Sequence, residues 1–326
     1  MDKPFYLEYL ESLDRRVKLS EESHRRLWAQ RTGYEGHKAF SDLLTEHCPD
    51  DWVVLHDLSF NHPVGKTQVD SLLMNSQCIY HFEVKNLVRP VEYRDGEWYS
   101  TSTGSRYRNY FTQMKRQAEL LGKLLEDLQI KVPIVSKLVL INEQDTVTFM
   151  EDMQDHYLKR WQIKGFLEEI NRQAVLSANQ PLINPVQEAR RILDMTIEDF
   201  EREQYPEANL VKYARKGILC ANCHANVSGN HTRYYIHCGV CGKVESREAA
   251  VVRTICEVGI MNYEERITAR MVIDLIDDPS MERLIRRKLA DHFEISGKFR
   301  AASYHNPRAS LKKAFPHLKF KYDKER

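Results

Sequence analysis

The spacing of apolar and polar residues changes character along the chain. Up to residue 47 the period is helical, with Leu27, Trp28, Phe40, Leu43 and Leu44 on one apolar face. Ser20-Glu21-Glu22 supplies an N-cap followed by acidic first-turn residues. Gly33 and Gly36 lie inside this stretch, where they bend the helix or allow close packing. After Cys48-Pro49 the pattern shortens to runs rich in Val, Ile, Leu and aromatics at 52–60, 67–74 and 79–84, which predict strands. Val91-Glu92-Tyr93 and Glu97-Trp98-Tyr99 flank Arg94-Asp95-Gly96, a hairpin signal. Residues 109–129 return to helical spacing through Phe111, Met114, Ala118, Leu121, Leu124 and Leu125. A buried-type strand follows at 135–141. Helix, three strands, hairpin, helix, strand is the order of one α/β domain.

Beyond it, residues 156–205 read as helical and polar, broken near Pro181 and Pro185. Residues 215–244 hold a cysteine block. Residues 245–258 and 268–276 read as helices, Ser280 is placed to cap another through Leu289, and 294–305 has the pattern of a hairpin. Four segments are therefore expected: 1–155 with the sheet and the first helices, a 156–214 helical connector, the 215–244 cysteine block, and a basic helical, winged-helix-like end at 245–326. There is no internal repeat and no low-complexity tract.

Composition excludes several classes. The 326 residues are 42% hydrophobic and 29% charged, a globular profile. No run approaches the roughly 20 apolar residues of a membrane span. The opening Met-Asp-Lys-Pro-Phe has no signal-peptide core, so the cytoplasm and no membrane partner are expected. Net charge is only +1, but its distribution is uneven. Residues 283–326 carry 13 Lys and Arg against four acids, a net +9, which leaves −8 for the rest. A basic end favours a polyanionic partner; a merely solvated tail has the same composition.

The chemistry-bearing stretch is Thr67-Gln68-Val69-Asp70, followed by Ile79-Tyr80-His81-Phe82-Glu83-Val84-Lys85. Two strands almost back to back pair antiparallel, and on a strand i and i+2 share a face. Glu83 and Lys85 then point one way, Phe82 and Val84 the other, and Asp70 approaches Glu83 from the neighbouring strand. Two adjacent carboxylates repel, and a divalent cation resolves that repulsion. Mg²⁺ and Mn²⁺ take oxygen ligands and commonly use one or two protein carboxylates beside a phosphate. Such an ion activates water and polarises a phosphodiester, while a lysine neutralises developing charge. The same triplet also occurs as a structural ion pair on a solvated strand face, so the pattern alone does not decide.

Four motifs in order add to it: Gly33-Tyr34-Glu35-Gly36-His37-Lys38-Ala39-Phe40, Leu58 through Gln68-Val69-Asp70, Ile79 through Lys85-Asn86, and Asn109-Tyr110-Phe111-Thr112-Gln113-Met114-Lys115-Arg116. Together, over about residues 30–150, they resemble the nuclease-related domain (NERD) family of the PD-(D/E)XK restriction-endonuclease-like superfamily. The resemblance implies an α/β (α+β) fold with a helix-flanked mixed sheet and a metal-dependent nuclease site. It places Asp70 and Glu83 as Mg²⁺ or Mn²⁺ ligands and Lys85 as the water-positioning or charge-stabilising group. Glu35 and Gln113 become accessory groups. His37 stands where relatives often carry a second acid.

Cys220-Ala-Asn-Cys223 and Cys238-Gly-Val-Cys241 are two CxxC knuckles fourteen residues apart. Each sets two thiolates one tight turn apart, and two knuckles close a tetrahedral S₄ site for structural Zn²⁺. Tyr234-Tyr235-Ile236 is strand-like, as a zinc ribbon requires. A redox CxxC would sit beside a βαβ pattern, which is absent. His224, His231 and His237 read as surface histidines; Cys48, Cys78 and Cys256 read as buried small residues. Some NERD proteins carry such a ribbon and a helical tail.

In the basic end, Arg283, Arg286, Arg287 and Lys288 share a helix, Lys298 and Arg300 follow, and Tyr304, Phe315, Phe320 and Tyr322 interleave with basic residues. That mixture suits contact with phosphates and stacking on bases. The reading is a metal-dependent nuclease acting on nucleic acid, with DNA favoured. Its rival is a catalytically silent DNA-binding or adaptor protein on the same scaffold. A protein partner for the ribbon or tail stays open, as do DNA versus RNA and the oligomeric state.

Overall fold

The structure, a computed structural model, describes residues 3–177, 180–197, 208–262, 267–297 and 302–305. The chain divides into two compact units, Arg31–Glu203, and Asp2–Gln30 with Gln204–Arg326. It is a mixed α+β protein.

Helix α1 (Phe5–Arg16) ends at an extended Val17, and α2 (Glu21–His47) follows. Ser20 caps α2, its Oγ accepting from the Ser23 N–H at 3.1 Å, as the sequence suggests. The strands that follow are β1 (Val53–His62), β2 (Gly65–Met74), β3 (Ile79–Lys85), and the hairpin β4 (Val91–Arg94) and β5 (Glu97–Ser100). Helix α3 (Tyr110–Asp127) is capped by Asn109 and leads to β6 (Ile134–Leu140). All match the expected order within a few residues. Next come β7 (Val147–Phe149), β8 (Tyr157–Lys159), α4 (Ile163–Leu176) and α5 (Pro185–Asp194). The uniformly helical reading of 156–205 therefore needs correction at its start. Tyr157–Lys159 extends because its backbone pairs with Leu138–Leu140, a non-local partner.

The main sheet of the first unit has the order β1-β2-β3-β6-β8. The pairs β1/β2 and β2/β3 are antiparallel; β3/β6 and β6/β8 are parallel. A smaller sheet, β5-β4-β7, packs Tyr93, Trp98, Phe111 and Phe149 ring against ring. Both faces of the main sheet are covered. Tyr80, Phe82 and Val84 of β3 pack with Phe40 and Leu44 of α2 and Ile163 and Leu167 of α4. Leu72, Met74 and Ile79 pack with Leu121, Leu124 and Leu125 of α3 and Ile192 of α5. Strand β3 is thus sandwiched, and any polar side chain on it is either paired or costly.

Gly36 explains one close approach. A Cβ there would stand 2.6 Å from Asn86 Cβ, so the helix needs glycine at this point, and it runs through both glycines without a break.

In the second unit, the ribbon strands β9 (Tyr235–His237) and β10 (Val244–Ser246) pair antiparallel. Helix α6 (Arg247–Met261) is buried almost all round, the signature of a central core helix. Around it lie α7 (Ala269–Ile276), α8 (Glu282–His292) and α1. Arg16 of α1 pairs with Glu257 of α6 at 2.5 Å, both wholly inside, and also donates to the carbonyls of Arg215 and Gly217. The hairpin at the end exists as β11 (Glu294–Ser296) and β12 (Ser303–His305). Ahead of α8 the capping residue is Asp278 and not Ser280; Asp278 Oδ1 accepts from the Ser280 N–H at 2.9 Å in a single 3₁₀ turn.

Candidate active site and cysteine cluster

The last paired rung between β2 and β3 joins Ser71 to Phe82, so the next rung sets Asp70 across from Glu83. There the ladder opens. Asp70 Oδ2 accepts from the Val84 N–H at 2.8 Å, a side chain standing in for a backbone acceptor. On its other side the β1/β2 register passes over Asp57 and Asp70, and Asp57 is held in the left-handed region at φ 54°.

Glu83 is 0% exposed, although it carries a carboxylate. Its Oε1 accepts from Lys85 Nζ and from Gln113 Nε2. Its Oε2 is equally buried and has no hydrogen-bond partner among the described residues. Burial pushes the Glu83 carboxyl above the usual carboxylate range, and the negative charge of Asp70 pushes it further; Lys85 and Gln117 oppose both. Lys85, Asp70 and His37 keep part of their side chains in solvent and form the mouth of the site. His37 Nε2 lies 3.6 Å from Asp70 Oδ2. Lys85 Nζ stands 5.5 Å from the Tyr110 ring centre, and burial pushes the Tyr110 phenol up to about 12.

Asp70, Glu83, Lys85 and Gln113 thus converge. Glu35 does not join them: it is exposed on α2 and lines a separate cleft of about 430 Å³ with Asn86, Asn142 and Arg160. Gln117 was missed. It sits one helical turn after Gln113, its Nε2 donates to the Gln68 carbonyl at 2.8 Å, and its Oε1 is buried without a partner among the described residues. The i, i+4 spacing of two glutamines on an otherwise apolar helix face was the available signal. His81, on the Glu83 face of β3, is wholly buried and bonds Ser136 Oγ through Nδ1 at 3.1 Å.

An orphan carboxylate oxygen beside a second carboxylate fits a hard divalent cation. By hydrogen-bond geometry only Glu83 Oε1 has partners among the described residues; the Gln117 amide lies close enough to lower the carboxyl, but its Nε2 is committed to the Gln68 carbonyl. Mg²⁺ or Mn²⁺ would satisfy Oε2 and reduce the mutual repulsion of the two acids.

The four expected cysteines also meet. Their sulfurs all lie within 4.8 Å of one another, with Cys220–Cys241 at 3.6 Å and Cys223–Cys238 at 3.4 Å. Those distances are far beyond a disulfide. They are close to the roughly 3.8 Å between sulfurs placed about 2.3 Å from a tetrahedral centre. The two knuckles share one backbone pattern. The Cys220 N–H donates to Ala225 O at 2.8 Å, and Cys238 N–H to Lys243 O at 2.9 Å. The His224 N–H donates back to Cys220 O, and the Gly242 N–H to Cys238 O. His224 and Gly242, the matching positions, are both left-handed at φ 57° and 72°. Donation from Asn222 and the Lys243 backbone lowers the Cys241 thiol to about 6, and the N–H groups of Cys241 and Val240 lower Cys238. These two shifts favour the thiolate, whereas at Cys223 the Ala225 N–H is outweighed by burial and the neighbouring sulfurs, which push the thiol up to about 12. His231 is engaged elsewhere, 3.1 Å from Asp278 Oδ2. Cys256, by contrast, is a core thiol pushed up to about 12 by burial, and Cys48, only half-buried against the expectation, is pushed up to about 11 by the same cause.

The basic helix is less free than its sequence suggests. Arg286 pairs with Glu282, Arg287 with Glu248, and the buried Lys288 with Glu248 and Asp291. Lys298, Arg300, Phe315, Phe320 and Tyr322 lie outside the described residues.

Residues 32–141 match the model of the nuclease-related domain (NERD) family. The matched stretch contains β1–β6, α3 and the second half of α2, and with them Asp70, Glu83, Lys85 and Gln113. No curated protein and no solved structure matches the chain. Among the described residues no helix is long and apolar enough to cross a membrane.

Proposed function

We propose that this protein is a metal-dependent nuclease that hydrolyses phosphodiester bonds, with DNA as its favoured substrate. The observation that carries the reading is the buried Glu83 carboxylate, with one oxygen unpaired, set against Asp70 beneath a lysine. Asp70 and Glu83 would hold Mg²⁺ or Mn²⁺, which supplies Lewis acidity and a lowered pKa for bound water. Asp70 is fixed for that task by the Val84 N–H. Gln113 orients Glu83 from α3. Lys85 shares one carboxylate oxygen and reaches the mouth, where its ammonium can face the scissile phosphate and balance charge developing on it. The four-cysteine cluster would hold Zn²⁺ in a structural role, since four thiolates leave no open position for chemistry.

A silent scaffold is the competing reading, and the Lys85–Glu83 pair gives it an argument. A purely structural pair, however, gains nothing from leaving Glu83 Oε2 buried and unpaired, which costs about 1–3 kcal/mol or more for a charged group.

The test is incubation of the zinc-loaded protein with labelled linear and circular DNA and with RNA, in Mg²⁺, Mn²⁺ or no added divalent ion. Wild type should cleave only with the ion, and Asp70→Asn should not cleave. Equal products from both proteins would reject the site.

A further inference from the structure

We propose that a cavity walled by Arg233, Arg247, Arg283 and Arg287 is a phosphate cradle that holds the backbone of a nucleic acid strand. The inference rests on the nucleic-acid reading above and adds a site to it, within the second unit, in which Arg233 and Arg247 join two arginines of the basic helix. The cavity measures about 430 Å³. Its guanidinium groups come from three places. Arg233 precedes β9, Arg247 opens α6, and Arg283 and Arg287 stand one turn apart on the same face of α8.

The charge is only partly compensated, because Arg233, Arg247 and Arg283 meet no carboxylate among the described residues. Glu248 is the one acid of the lining, and it is already shared between Arg287 at 2.8 Å and Lys288 at 3.0 Å. Arg247 donates to the Ser280 carbonyl at 3.2 Å and touches Met281 Sδ, but it meets no carboxylate among the described residues. Arg233 lies over the Tyr234 ring, 5.2 Å from its centre, and meets no acid among the described residues. Arg283 has no ion pair or hydrogen bond among the described residues. Elsewhere on α8 the pattern is opposite: Arg286 is paired within its own helix. Unpaired guanidinium groups sharing one concavity repel one another, and an anion relieves that repulsion. The guanidinium fork matches phosphate oxygens in pairs. The N-terminus of α6, fifteen residues long, lies at the same wall and adds its positive end. Tyr234 offers a ring beside the phosphate position on which a base or sugar can rest.

The experiment measures fluorescence anisotropy of labelled single- and double-stranded DNA with the full zinc-loaded chain and no Mg²⁺, over a range of salt. Arg233→Ala/Arg283→Ala should bind about ten-fold or more weakly, and its salt slope should fall by about one to two. Arg270→Ala, on α7 outside the cavity lining and paired with Asp274, should stay within about two-fold of wild type. Circular dichroism and zinc content serve as the folding control. If the double variant loses either, the exposed single change Arg283→Glu carries the same test. Unchanged affinity and slope in the double variant would overturn the cradle and leave any Mg²⁺-dependent cleavage standing. Failure of wild type to bind DNA would overturn it as well. Displacement of DNA by millimolar pyrophosphate supports a phosphate site. Pyrophosphate binding that DNA does not displace would assign the cavity to a small phosphate compound and overturn the backbone role. Loss of cleavage in Glu83→Gln with undiminished binding would keep the cradle separate from the catalytic reading.

Discussion

Asp70 faces Glu83 across two antiparallel strands, and Asp70 accepts the backbone N–H of Val84, the residue next to its partner acid. One carboxylate is therefore pinned by the sheet itself, while the other is buried beneath Lys85 and Gln113. The arrangement holds two like charges close together inside the protein. That is costly without a cation and productive with one.

Glu83→Gln should separate catalysis from folding. The amide keeps the volume of the side chain and removes a charge that burial and Asp70 both disfavour. Lys85 keeps access to water. Thermal unfolding without divalent ion should therefore occur at the wild-type temperature or above it. DNA cleavage in Mg²⁺ should fall at least about a hundred-fold, the scale of losing roughly 3 kcal/mol of transition-state stabilisation. Added Mn²⁺ should raise the unfolding temperature of wild type and not of the variant. A variant that unfolds early and binds Mn²⁺ normally would contradict the assignment.

How much of this was legible beforehand depends on how local the signal is. Alternation along β3 separates Glu83 and Lys85 from Phe82 and Val84 in the sequence and in the structure alike. The short spacing of β2 and β3 forces antiparallel pairing and so brings Asp70 to Glu83. The cysteine spacing led directly to the four-sulfur cluster. Failures came where partners are distant. Strand β8 exists only because β6 lies beside it. The Arg287 and Lys288 charges are absorbed by Glu248, which lies about forty residues earlier and carries no mark in a helical-wheel reading. Glu35 sits in a matching motif, yet its side chain opens on another cleft. A motif fixes chain position, and the helix phase fixes where the side chain points.

A pH effect on stability should come from His56. Its ring links α2 to the sheet, with Nε2 3.0 Å from Ser41 Oγ and Nδ1 2.8 Å from Ser71 Oγ. Burial lowers its pKa from the ordinary 6.5, and the nearby His37 acts in the same direction. The folded state therefore favours the neutral ring. The stability it contributes is full above about pH 6.5 and is lost as the pH falls below that value, because the unfolded chain takes up the proton more readily. The unfolding temperature should drop between pH 7 and pH 5 more steeply in wild type than in His56→Gln. Parallel curves for the two proteins would remove His56 from the account.

The cysteine cluster predicts a folding dependence on zinc. Structural sites of this kind supply an apparent binding free energy of about 10–16 kcal/mol to the fold around them. Purified protein should contain one zinc per chain by mass spectrometry under native conditions. A strong chelator should expose residues 215–244 to limited proteolysis, and Cys223→Ser should do the same without chelator. If the metal-free ribbon resists protease as well as the loaded one, the sulfurs do not organise this segment.

The two glycines of α2 should respond to alanine with opposite signs. Both lie in the helix interior, where alanine is favoured by about 1 kcal/mol through backbone entropy alone. At Gly33 a Cβ meets nothing within 4 Å, so Gly33→Ala should raise unfolding stability by that amount. At Gly36 the same atom would stand 2.6 Å from Asn86 Cβ and 3.1 Å from Ile141 Cγ2. The first of these is anchored to the backbone directly after Lys85 and cannot swing aside. Asn86 is held in turn by its donation to the Thr32 carbonyl at 2.9 Å and by acceptance from Asn142 at 2.9 Å. Relief therefore requires α2 to move away from the end of β3. Overpacking of that kind costs about 1–3 kcal/mol, which exceeds the helical gain. Urea unfolding should show Gly36→Ala destabilised and Gly33→Ala stabilised. Because the displacement is transmitted to the strand end that carries Lys85, Gly36→Ala should also lower Mg²⁺-dependent cleavage under conditions where the protein remains fully folded, while Gly33→Ala should leave it unchanged.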